Sequence, residues 1–185
     1  MTEGSPVAAR LEPHLEPYIE PWMRGTHTGV PAAGRAVLHA LELAQEDLVK
    51  WTTGVTDAEV HAKPLGLPSV AFHLRHIARS VDRILTYAEG NQLSADQLTA
   101  LKAEQTGDEP LAVLMAEVET SLNQAADRIR LLASANLDAP RSIGRKQLPT
   151  SVGGALIHVA DHTQRHVGQV VTTAKVLIVQ RTANP

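Results

Sequence analysis

The chain is expected to be all-α: a four-helix bundle with an irregular N-terminal arm. Three observations carry that expectation. Hydrophobic residues make up 43% of the 185 residues but aromatics only 3%. Leu, Val, Ile and Ala must therefore fill the core, which suits packed helices better than a sandwich of aromatic and β-branched strands. Four long segments repeat apolar residues at a helical period. Gly and Pro collect between those segments, where chain reversals belong.

Residues 1–31 form the first unit, an extended arm docked on the body. LEPHLEPYIEP repeats Glu-Pro three times, and each proline interrupts a helix and biases the residue before it toward extended geometry. Tyr18, Trp22 and Met23 supply apolar surface for docking. The second unit, 32–185, is the bundle. Its first helix runs from about 32 to 51, with Val37, Leu38, Leu41, Leu48 and Trp51 on one stripe and Gly54 as a stop. The second follows Ser69, an N-cap, and ends at Gly90, with Val70, Leu74, Ile77, Val81, Ile84 and Leu85 inward. Residues 94–103 allow one short helix. The third long helix spans roughly 109–133 on Leu111, Leu114, Met115, Val118, Leu122, Ile129 and Leu132. NLDAPRSIGRKQLPT reads as a loop punctuated by Pro140, Gly144 and Pro149. Thr150 or Ser151 then caps a final helix reaching about residue 180.

Composition narrows the function. The net charge of −3 builds no basic surface for nucleic acid or anionic lipid. There is no cysteine, which removes disulfides, thiolate ligands and a cysteine nucleophile, and fits a reducing cytoplasm. No stretch has the eighteen or so apolar residues of a membrane span, and the N-terminus has no apolar signal core.

The chemistry-bearing feature is histidine. LIHVADHTQRHVGQ places His158, His162 and His166 four residues apart. On a helix they form one slowly drifting stripe, and Gln169 falls back onto the same side. Two imidazoles at i and i+4 can share a metal ion. Three cannot readily do so, because the outer pair lies about 12 Å apart along the axis. A further ligand must come from another helix. AFHLRHIARS in the second helix offers His73 and His76. Side chains on facing helices of a bundle meet in its interior, and a three-histidine site with an open position suits Zn²⁺, Ni²⁺ or Fe²⁺. Surface or hydrogen-bonded core histidines are the ordinary alternative, and His14, His27, His39 and His61 take that reading by default.

These two segments, DHTQRHVGQ and HLRHIARSVDRIL, resemble the corresponding stretches of DinB-like proteins of the DinB/YfiT superfamily over roughly residues 32–180. The resemblance implies a metal triad of His76, His162 and His166. It leaves His73 and His158 as structural, ligand-supporting or substrate-facing groups. Gln169 has a pocket role or faces solvent. The family's His-Arg-Gly-Gln is here His166-Val167-Gly168-Gln169, so an anion contact from that arginine does not carry over. Gly168, costing about 1 kcal/mol within a helix, is expected to allow close packing against a neighbouring helix or a second subunit. The family's arm lies near the mouth of the site, which makes Arg24 and His27 candidates for substrate contact.

The resemblance further implies a divalent-metal-dependent enzyme acting on a small molecule, either a thiol S-transferase or a hydrolase, with a low-molecular-weight thiol as co-substrate in the first case. It also implies a homodimer. No motif nominates a general base among Glu42, Glu46, Asp47 and Asp161. Asp161 can orient a ligand imidazole or pair with Arg165. The competing expectation is a non-catalytic dimeric helical scaffold with a structural metal.

Overall fold

The computed structural model describes residues 18–183. Most of the Glu-Pro repeat, His14 included, lies outside them. Five helices are present: α1 (Ala32–Thr52), α2 (Val70–Ala88), α3 (Ala95–Lys102), α4 (Leu111–Leu132) and α5 (Val152–Ala183). The four long ones form a bundle. Going round it, α1 packs on α5, α5 on α2, α2 on α4, and α4 closes back on α1. Successive long helices α1 and α2, and likewise α4 and α5, therefore sit on diagonals. That geometry explains why the links at 53–69 and 133–151 are long.

The caps follow from local chemistry. Ser69 Oγ accepts from Phe72 N–H at 3.2 Å to start α2. Ser151 Oγ accepts from Gly154 N–H at 3.1 Å to start α5. Ser94 and Gln97 form a reciprocal capping box on α3. Gly54 and Gly90 sit at φ +91° and +90° just past α1 and α2, a conformation that costs glycine least.

The core is the aliphatic one that the composition requires. Leu48, Leu74, Ile77, Leu85, Leu114, Ile129 and Leu156 are its largest fully buried side chains. The start of α1 and the end of α4 approach closely: a Cβ added at Gly34 would overlap that of Ala133.

Three expectations need correction. The stretch read as a loop contains a short antiparallel hairpin, β1 (Pro140–Ile143) and β2 (Leu148–Ser151), with Arg141 opposite Thr150. Strands of four residues with a proline in each carry almost no sequence signal. Arg141 Nε donates to Ala88 O at 2.6 Å and so ties the hairpin to the end of α2. Second, the arm's Tyr18, Trp22 and Met23 do not dock, since all three are exposed; Pro21 is buried and Val30 packs against the core instead. Polar contacts add to that hold. Arg24 makes a two-pronged ion pair with Glu46 at 2.5 and 2.8 Å, and Tyr18 Oη donates to the same carboxylate at 2.8 Å. Third, a Cβ added at Gly168 would meet nothing within 4 Å, so among the described residues no helix packs closely against it, and of that expectation the second subunit is left.

Candidate metal centre

Core residues of α5 recur at Leu156, Val159, Thr163, Val167 and Val170. His158, His162 and His166 each precede a core position by one residue, so they lie along the flank of the buried face. On α2, His73 and His76 flank Leu74 and Ile77 in the same way. Because α2 and α5 are neighbours, the two flanks face each other.

The rings of His76, His162 and His166 meet there. Each offers a nitrogen within 4.8 Å of the other two. Ring centroids are 4.4 Å apart for His76 and His166, 4.6 Å for His162 and His166, and 5.0 Å for His76 and His162. His76 Nε2 and His162 Nε2 are 2.9 Å apart. Nitrogens sharing one ion at about 2.0–2.1 Å lie roughly 3 Å from each other, so the spacing fits a divalent cation.

A hydrogen bond on the far side of the ring sets the tautomer of His76. His76 Nδ1 is 2.7 Å from Glu104 Oε2. A carboxylate only accepts, so Nδ1 carries the proton and Nε2 keeps its lone pair. His166 Nδ1 lies 3.1 Å from His73 Nδ1, which leaves His166 Nε2 for the shared point. His162 Nδ1 is buried without a partner, as is His73 Nε2. Three neutral imidazoles brought together in this way are a donor set that suits a cation.

Glu104 went unnoticed in the sequence. It sits in the single turn of 3-10 helix after α3, Ala103–Gln105, and is 3% exposed. Arg83 Nη1 donates to its other oxygen at 2.5 Å. Burial alone would raise the Glu104 carboxyl, but the bonds from His76 and Arg83 outweigh burial and hold it below the usual carboxylate range. No motif marks it, because α3 packs on α2 only in three dimensions.

Burial is also the main reason that His73, His162 and His166 are each pushed down from 6.5 to about 4. Neighbouring imidazoles add to it: His166 and His76 for His73 and His162, and His76 for His166. Gln169 acts on His166 in the opposite sense, through a hydrogen bond. All three rings are neutral at neutral pH, the form that ligates metal.

A cavity of about 520 Å³ opens beside the cluster. His76, His158 and His162 form its polar end, and Ile84, Tyr87, Leu93, Leu101, Ile143 and Leu148 its apolar wall. The hairpin supplies the last two. His158 Nδ1 is 3.0 Å from Asp161 Oδ1, so Asp161 orients His158 rather than a ring of the triad. Its other oxygen is 3.7 Å from Arg165. A hollow of about 590 Å³ between α2, α3 and α4 contains no such cluster, and its Arg79 is taken up by Glu117.

Arg24 and His27 are not brought to this centre. Arg24 is spent on Glu46 and His27 on Glu42, both on α1. His39 faces Thr26, and His61 Nε2 lies 3.0 Å from Glu109 O.

The comparisons agree with this architecture. The chain is similar to a solved structure described as "YfiT from Bacillus subtilis is a probable metal-dependent hydrolase with an unusual four-helix bundle topology". The TM-score is 0.57 at 14% identity, over 77% of this chain and 86% of that one, a likeness of fold. No curated protein matches. The model of the DinB superfamily matches residues 40–170, which takes in His76, Glu104, His162 and His166. The chain belongs to the DinB superfamily.

Proposed function

We propose that this protein is a divalent-metal-dependent enzyme acting on a small molecule with an apolar body, by hydrolysis or by transfer of a thiol. One observation carries the reading: three imidazoles from two helices converge, and two of them, His76 and His162, line a cavity whose wall is largely apolar. His76, His162 and His166 would hold the ion. Neither Glu104, His73 nor His158 belongs to the group of converging donors. Three protein ligands leave a position open, as catalytic sites do and closed structural sites do not.

A divalent ion held there supplies Lewis acidity, which makes a water or a thiol nucleophilic near neutral pH. The chain's own residues do the rest. Glu104 fixes the His76 tautomer through Nδ1. His73 Nδ1, 3.1 Å from His166 Nδ1, helps to orient that ring. His158, at the cavity and with Nδ1 3.0 Å from Asp161 Oδ1, would accept a proton from the nucleophile and return it to a leaving group. The apolar wall excludes water from the substrate's body. A thiol, where one is used, comes from the substrate side, because the chain has no cysteine.

The test is metal content of tag-free protein beside His162→Ala, followed by turnover on ester, amide and electrophile-plus-thiol panels. The variant should lose the ion bound at this centre. Equal metal in the two proteins would remove the site. Metal retained by the wild type with no turnover on any panel would favour a non-catalytic scaffold.

A further inference from the structure

A second cluster of donors lies elsewhere in the fold, where the arm crosses α1. His27 of the arm, and His39 and Glu42 of α1, each offer one atom within 4.8 Å of the others. His27 Nε2 is 2.6 Å from Glu42 Oε1. The His27 and His39 rings are 5.5 Å apart at 42°. The cluster opens on a small cavity of about 110 Å³ between α1 and α4. The triad sits between α2 and α5, so the two groups of donors share no helix other than through packing.

We infer that His27, His39 and Glu42 form a second divalent-cation site, one that clasps the N-terminal arm to α1. Three features point to a cation rather than to a plain ion pair. His39 brings a second imidazole to the His27–Glu42 pair and is only 7% exposed, with Nε2 3.0 Å from Thr26 Oγ1 of the arm. Two histidines and one carboxylate are a common zinc donor set, and three residues on a helix bring His39 and Glu42 to neighbouring positions on one side. Finally, His27 has φ +56°, a left-handed conformation that side chains adopt at a cost. The turn is held in that form by the Val30 N–H to His27 O bond at 2.9 Å, and it aims the imidazole at α1.

The charges around the site are compatible with a cation. Glu46, one turn along α1, is neutralised by Arg24. Arg130 lines the cavity from α4, but its guanidinium is 2.9 Å from Asp127. Gln45 and Asn123, also at the cavity, are neutral oxygen donors. Such a site adds a metal-dependent hold to an arm that Arg24 and Tyr18 already tie to Glu46. It stands apart from the His76 centre, and its failure would leave that centre untouched.

Zinc titration by calorimetry on the tag-free full chain tests the proposal. The wild type should bind two equivalents. His162→Ala should lose one, and His27→Ala and Glu42→Gln should each lose the other, or weaken it by more than about 100-fold. Trypsin cleavage at Arg24–Gly25, followed by mass spectrometry in the His162→Ala background, reads the clasp directly. At zinc 100 times above the dissociation constant, cleavage through the undocked arm should slow by up to about 100-fold. Zinc should give no protection in the His27→Ala, His162→Ala double variant. The same cleavage in otherwise wild-type protein serves if His162→Ala does not fold. Unchanged stoichiometry in both His27→Ala and Glu42→Gln, or cleavage indifferent to zinc, would overturn the clasp and leave an ion pair.

Discussion

Glu104→Gln isolates what the buried carboxylate does. The substitution keeps the shape but removes the charge. Glu104 accepts from His76 Nδ1 at 2.7 Å and from Arg83 Nη1 at 2.5 Å. A glutamine has one acceptor oxygen in place of two. It must present its amide N–H₂ either to His76 or to Arg83, and each of those is a donor. If Arg83 keeps the oxygen, His76 loses the partner that holds its proton on Nδ1, and the ring can flip or change tautomer. Loss of such an orienting partner weakens metal affinity by about 10- to 100-fold. At about 1.4 kcal/mol per decade, that is about 1.4–2.8 kcal/mol. Stability is a separate readout. Arg83 is 8% exposed, and leaving a buried charge unpaired costs roughly 3–5 kcal/mol. Adding Arg83→Met should recover much of that stability and, by freeing the amide oxygen to accept from His76 Nδ1, part of the zinc affinity as well. Urea unfolding measures the first quantity and zinc calorimetry the second. Folded Glu104→Gln protein binding zinc at the His76 centre within about twofold of wild type would refute the orienting role.

Further outcomes follow from the same coordinates. In metal-free protein, His73, His162 and His166 have folded values of about 4 against an ordinary 6.5. The unfolded chain therefore binds more protons between those values. Stability should be full above about pH 6.5 and fall as pH drops toward 4; a urea midpoint flat across that window in EDTA would contradict it. Glu46 is held low chiefly by its bond to Arg24, so arm docking should persist above the carboxylate range and weaken below it, as amide hydrogen exchange across residues 18–31 would show. Gly34→Ala should destabilise by about 1–3 kcal/mol through overpacking against Ala133, less the helix propensity gained, and an unchanged denaturation midpoint would mean that α1 and α4 separate easily. His158→Asn should leave metal content intact and lower kcat on any substrate that the panels reveal; unchanged kcat would remove it from proton transfer.

Much of this protein was legible in one dimension. Helical periodicity with Ser69, Ser151, Gly54 and Gly90 as boundary residues specified the four long helices, because capping and apolar repeats are local effects. The i, i+4 spacing of His162 and His166 required a partner from another segment, and resemblance chose His76 over His73. Other features had no local signal. Glu104 reaches His76 across 28 positions, His73 reaches His166 across 93, and Ile143 and Leu148 wall the cavity only because a proline-bearing hairpin folds over the end of α2. The arm likewise contacts Glu42 and Glu46 of α1 rather than the centre between α2 and α5. Which helices become neighbours is settled by packing of the whole core. Sequence therefore determined which elements form and which residue types carry chemistry, and tertiary structure alone decided which of them meet.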